Sequence, residues 1–135
     1  AWLYTDRPEP GTSVADAFAD LVGEIEDRHG VAVDVVCVGD RAPDRDTEVI
    51  VAATREALSN AVRHGAPPVS LYVEASAQRL EVFVRDRGPG FDTGTIAEDR
   101  HGVRESIIAR MERHGGSARV RRMEPGTEVA LSLPA

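Results

Sequence analysis

Asp46-Thr-Glu-Val-Ile-Val-Ala-Ala-Thr-Arg-Glu56-Ala-Leu-Ser-Asn60-Ala-Val-Arg-His64 runs into Gly65 and Pro67 and is the stretch from which the fold can be read. Its apolar residues recur at helical spacing: Ile50, Ala53, Ala57 and Ala61 form a stripe, with Val49 and Leu58 beside it. Asp46 is expected to cap the first free amides, and Gly65 with the prolines after it to stop the helix. At about 100° per residue, Glu56, Asn60 and His64 are successive i, i+4 neighbours on one flank of the stripe, while Arg55 and Ser59 point away. Three polar groups therefore line up where the helix meets its core. A carboxylate, an amide oxygen and an imidazole in that position cost desolvation unless something polar lies against them, and oxygen ligands suit a hard cation such as Mg2+. A solvated helix edge would carry the same residues, so this helix alone leaves both readings open.

The 135 residues are enough for one domain with a substantial core, and a second domain need not be sought. No apolar run approaches the roughly 20 residues of a membrane span, and no signal-peptide pattern opens the chain. The single cysteine, Cys37, has no partner for a disulfide or a Cys-based metal site, which fits a reducing cytosol. A net charge of -7 argues against non-specific nucleic-acid binding. All sixteen basic side chains are arginine, which excludes a P-loop and its phosphate-binding lysine.

Residues 1–12 mix Trp2, Leu3 and Tyr4 with charges, Pro8, Pro10 and Gly11, and read as an entry segment with room for a short edge strand. Ser13 is placed to cap a helix through His29, with Val14, Phe18, Leu21, Val22 and Ile25 on its core face and Gly30 at its end. Residues 31–38 are rich in β-branched residues with Asp34 as their only charge, the pattern of a largely buried strand. After the Asp46 helix, residues 69–75 and 80–86 alternate as an antiparallel hairpin. Residues 88–101 carry glycine, proline and charge without periodicity, as binding loops and lids do. Helical spacing returns from Gly102 to His114, through Val103, Ile107 and Met111. A second hairpin joins 118–123 to 129–133. Three helices and five strands, most of them in hairpins, predict a two-layer α/β sandwich with the helices on one mostly antiparallel mixed sheet.

Asp86-Arg-Gly88-Pro-Gly90-Phe91 leaves a strand directly. The two glycines let a flat or charged ligand approach the backbone, and Asp86 can accept from an exocyclic amine, although such a segment is more often only a turn. Gly102, at the expected start of the third helix, would offer free amides to an anion, as any helix start can.

In this order, Glu56-x3-Asn60-x2-Arg63-His64, Asp86-x-Gly88-x-Gly90-Phe91, Gly102 and Gly126-Thr127 resemble the N box, two glycine boxes and Gly-Thr motif of the GHKL ATPase superfamily. The nearest likeness is to the ATP-binding catalytic domain of bacterial sensor histidine kinases. Residues 55–64 are similar to the N box of nitrate-sensor-type kinases, and residues 102–111 to actinobacterial members. The resemblance covers roughly residues 14–134 and implies a Bergerat-type sandwich that binds ATP and Mg2+. It implies that Asn60 ligates Mg2+, that Glu56 supports that ion or its water, and that Arg63 and His64 face the phosphates. Asp86 would accept from the adenine amino group, Gly88 and Gly90 would shape the adenine pocket, and Gly102 would begin the phosphate-facing helix. Thr127 would join the adenine network, and residues 88–101 would form the ATP lid.

The sequence departs from the family at Arg100, where a glycine often stands, and at Arg63, which replaces a lysine and changes the contact geometry while keeping the charge. None of the four histidines, His29, His64, His101 and His114, has the His-Asp or His-Glu setting of a phosphoacceptor. The resemblance therefore implies a kinase catalytic domain, monomeric by itself and without membrane contact. It would transfer the γ-phosphoryl group to a histidine on a dimerisation helix outside this chain and serve a response regulator. Such a domain is cytoplasmic, whether or not its parent protein is membrane-anchored. The alternatives are a free-standing serine kinase of the anti-sigma type and a nucleotide-binding pseudokinase.

Overall fold

The computed structural model describes residues 13–88, 98–123 and 125–135, with residues 98–103 described by their backbone alone. The leading segment 1–12, most of the expected lid and Gly90 lie outside the described residues. Helix α1 spans Val14–His29, strand β1 Val33–Val38, α2 Arg45–His64, β2 Val69–Ala75, β3 Leu80–Asp86, α3 Glu98–Arg113, β4 Ser117–Arg122 and β5 Thr127–Leu133. The strands lie in the order β1-β2-β3-β5-β4. β1 and β2 are parallel, which requires a crossover, and α2 supplies it. Every other pair is antiparallel. The three helices and the mixed five-stranded sheet form the expected two-layer sandwich.

Helices α1 and α2 begin where the sequence satisfies the free amides. In α1 the Ser13 hydroxyl accepts from Asp16 N, and Gly30 ends the helix with φ 66°. In α2 the cap is Asp44, two residues before the expected Asp46. Asp44 Oδ1 accepts from Thr47 N and Asp44 N donates to Thr47 Oγ1, both at 3.1 Å. That reciprocal box needs a polar side chain three residues on, which Asp44 finds in Thr47, whereas Asp46 would face Val49.

The core is built from the predicted stripes. Phe18, Leu21 and Ile25 of α1, Ile50 and Leu58 of α2, and Ile107 and Met111 of α3 are buried against the inward residues of the sheet, among them Leu71, Leu80 and Leu131. Burial of each such side chain contributes about 1.5–3 kcal/mol. α2 packs against both α1 and α3 and crosses β3 and β5, so it occupies the centre of the helical layer.

Two further expectations need correction. β1 is an edge strand, with Val33 buried but Val35, Val36 and Val38 at 40%, 56% and 45% exposure. β-Branched composition favours a strand without specifying how many neighbours it has. The third helix starts at Glu98, so Gly102 is its fifth residue and the segment expected to be loop up to His101 is helical from residue 98. An interior glycine costs a helix only about 1 kcal/mol, so α3 can run through Gly102.

Candidate functional site

Strand register brings the first two site residues together. Asp86 ends β3, Thr127 begins β5, and the two are directly paired. Directly opposed residues project to the same face, and here that is the face covered by the helices. Asp86 is 7% exposed and Thr127 4%.

The carboxyl of Asp86 is held from several sides. Its Oδ1 accepts from Gly88 N at 2.8 Å. Gly65, just past α2, lies so close that a Cβ there would overlap Asp86 Cγ. A Cβ on Gly88 would stand 3.1 Å from Oδ1. Arg87 N donates to Ala66 O at 2.8 Å, tying the end of β3 to the chain leaving α2. Gly126 has φ 105°, a conformation that suits glycine, and a Cβ there would run into Asp86 O. Three glycines therefore make room for one aspartate, whose Oδ2 has no hydrogen-bond partner among the described residues. Thr127 Oγ1 is also buried without a partner. Buried polar atoms are normally satisfied, so Thr127 Oγ1 marks a place for a polar ligand, and the uncommitted Oδ2 of Asp86 lies beside it.

α2 completes the site. Ala57 and Ala61 are small enough to bring the helix close to the sheet, and Asn60 lines the same cavity as Asp86 and Thr127. α3 closes it with Ile107 and Arg104. The cavity measures about 20 Å³, room for one water molecule, so a larger ligand requires side chains or α3 to shift.

The other expected residues take different places. Glu56, one turn before Asn60, does not line the cavity: its Oε1 accepts from Arg110 Nη2 of α3 at 2.7 Å. Arg63 is exposed, and His64 is the half-buried last residue of α2. Neither is among the described residues lining the cavity. Gly88 supports Asp86 from beside it, and Gly102 lies within α3. Among the described residues no group of three or more His, Cys, Asp or Glu side chains could hold a metal ion by itself. Sequence reasoning missed Gly65, Arg104 and Arg110. Arg104 carried a usable signal, because with Ile107, Ile108 and Met111 it completes an i, i+3, i+4, i+7 pattern with a cation at its first position.

Comparison with known proteins bears on the family and the fold. A family model described as histidine kinase-, DNA gyrase B-, and HSP90-like ATPase matches residues 45–135, from the start of α2 to the last residue. The sensor histidine kinase YpdA of Escherichia coli (strain K12) is 31% identical over 91 residues, covering 57% of this chain. The match spans 16% of that protein's length. The histidine kinase domain of the blue-light activated histidine kinase from Erythrobacter litoralis EL346 superposes with a TM-score of 0.71 at 22% identity, over 99% of this chain and 65% of that one. The mycobacterial sensor histidine kinase MprB gives a TM-score of 0.64 at 16% identity, over 89% of this chain and 94% of the other. Among the described residues no helix is long and apolar enough to cross a membrane.

Proposed function

Since the chain belongs to the histidine kinase-, DNA gyrase B-, and HSP90-like ATPase family, we propose that it is the Mg-ATP-binding catalytic domain of a sensor histidine kinase. It would present the γ-phosphoryl group to a histidine on a dimerisation helix of the same parent protein, with a response regulator as the next acceptor. One observation carries the nucleotide reading: Asp86 Oδ2 and Thr127 Oγ1, side by side in the β3–β5 register, lack hydrogen-bond partners among the described residues at the wall of one cavity. An adenine ring matches that pair, offering an amino donor to the carboxylate and ring nitrogens to the hydroxyl.

The chain's own groups divide the work. Gly88 N holds Asp86 Oδ1 and so turns Oδ2 to the ligand. Ile107, Val84 and Val129 supply apolar surface for the ring. Asn60, at the cavity wall on α2, offers an amide oxygen for Mg2+. Mg2+ usually takes one or two protein ligands and completes its shell from phosphates and water, so a single amide oxygen suits it. Glu56, held by Arg110, lies one turn from Asn60 on the same helix and would support the metal's water. Mg-ATP, when bound, supplies the transferable phosphoryl group and the charge neutralisation, and positioning is then the protein's main contribution.

The metal role is tested by thermal shift with ATP, with and without Mg2+, on wild type and Asn60→Ala. The alanine variant should keep the Mg2+-independent part of the stabilisation and lose the Mg2+-dependent part. Survival of the Mg2+-dependent part would remove Asn60 from the metal site.

A further inference from the structure

We propose that Arg104 is the phosphate-recognising side chain of this site and sets its preference for nucleoside triphosphates over shorter adenine compounds. This assignment rests on the ATP-binding reading above and deepens it.

The chain has no lysine, so any side-chain cation with a permanent charge near the phosphates must be an arginine. Most arginines that approach another element are already engaged. Arg55 pairs with Glu24 at 3.0 Å, Arg85 and Arg121 both pair with the buried carboxylate of Glu128, and Arg110 pairs with Glu56. Arg104 differs from these. It is half-buried and makes no hydrogen bond or ion pair among the described residues. It is also the one cation among the described residues lining the cavity that holds Asn60, Asp86 and Thr127.

A partly desolvated guanidinium without a counter-ion is costly, and an anion relieves that cost. The only carboxylate among the described residues lining the cavity is Asp86, whose Oδ1 is taken by Gly88 N. The guanidinium offers five N–H donors in a planar fork that matches two phosphate oxygens at once. Arg104 also borders a cleft of about 500 Å³ at the β4 edge, lined by Ile108 of α3, by Ala118, Arg119, Val120 and Arg121 of β4, and by Phe83, Glu128 and Ala130. Arg104 and Val120 line both the small cavity at Asp86 and Thr127 and this cleft, which has space for the larger end of a ligand. Asp86 and Thr127 would read the ring, and Arg104 the charge.

The test is calorimetric titration of adenosine, AMP, ADP and ATP, each with Mg2+, into wild type, Arg104→Met and Arg104→Lys, with circular dichroism to confirm folding. Loss of charge-assisted hydrogen bonds should weaken ATP about 10- to 100-fold in Arg104→Met. The loss should be smaller for AMP and absent for adenosine, and lysine should restore part of it. An equal loss for adenosine and ATP would make Arg104 a ring contact or a structural residue, and unchanged ATP affinity in the folded Met variant would also overturn the assignment. Wild type binding none of the four would instead sink the nucleotide reading, and this proposal with it.

Discussion

Gly65, which ends α2, lies against the carboxyl of Asp86, which ends β3, with no room for a Cβ between them. Its φ of -90° is open to any residue, so space rather than backbone conformation demands glycine here. Gly65→Ala should displace the Asp86 carboxyl and destabilise the fold by about 1–3 kcal/mol through overpacking. Nucleotide affinity should fall further than stability accounts for. Denaturant unfolding and calorimetry with ATP check this, and an alanine variant that binds ATP like wild type would mean that Asp86 is not fixed by Gly65.

Arg110 and Glu56 join α3 to α2 through the 2.7 Å ion pair, with side chains 34% and 30% exposed. Because both are partly solvated, their coupling should be about 0.5–1 kcal/mol. A double-mutant cycle with Arg110→Met and Glu56→Gln reads that coupling from unfolding. Strict additivity would mean that the pair only coincides in space and does not orient Glu56.

Asp44 provides a pH test of the helix start. Burial raises its carboxyl pKa, but the Thr47 amide and hydroxyl and the nearby Arg41 outweigh this and hold it below the ordinary 3.8. A depressed carboxylate stabilises the fold above its unfolded pKa, and that contribution is lost as pH falls through the lower folded value. Asp44→Ala should therefore cost about 1 kcal/mol near neutrality, with the difference from wild type shrinking below about pH 4. A difference that stayed constant from pH 7 to pH 2 would separate the cap from the charge.

Much of this architecture was legible because it follows from periodicity. The stripe of Ile50, Ala53, Ala57 and Ala61 specified both α2 and its buried face, and the alternation of 69–75 and 80–86 specified a hairpin with one buried side. Asp86 and Asn60 were legible from motif spacing, and the register with Thr127 explains why residues 41 positions apart meet. What depended on long side chains crossing between elements was not legible. Glu56 reaches Arg110, and Arg104 reaches the cavity, because of how α3 lies on α2, which no spacing within one helix records. The edge position of β1 was equally hidden, since Val35, Val36 and Val38 favour a strand wherever it lies in the sheet.

The most direct test of the central claim, that Asp86 reads an adenine amino group, is calorimetry of Mg-ATP and Mg-GTP binding to wild type and Asp86→Asn. Guanine carries a carbonyl where adenine carries the amine, so the carboxylate should favour ATP in wild type. Asparagine should weaken ATP about 10- to 100-fold and GTP far less, narrowing the preference. Equal losses for the two nucleotides, or no preference in wild type, would contradict the adenine role of Asp86.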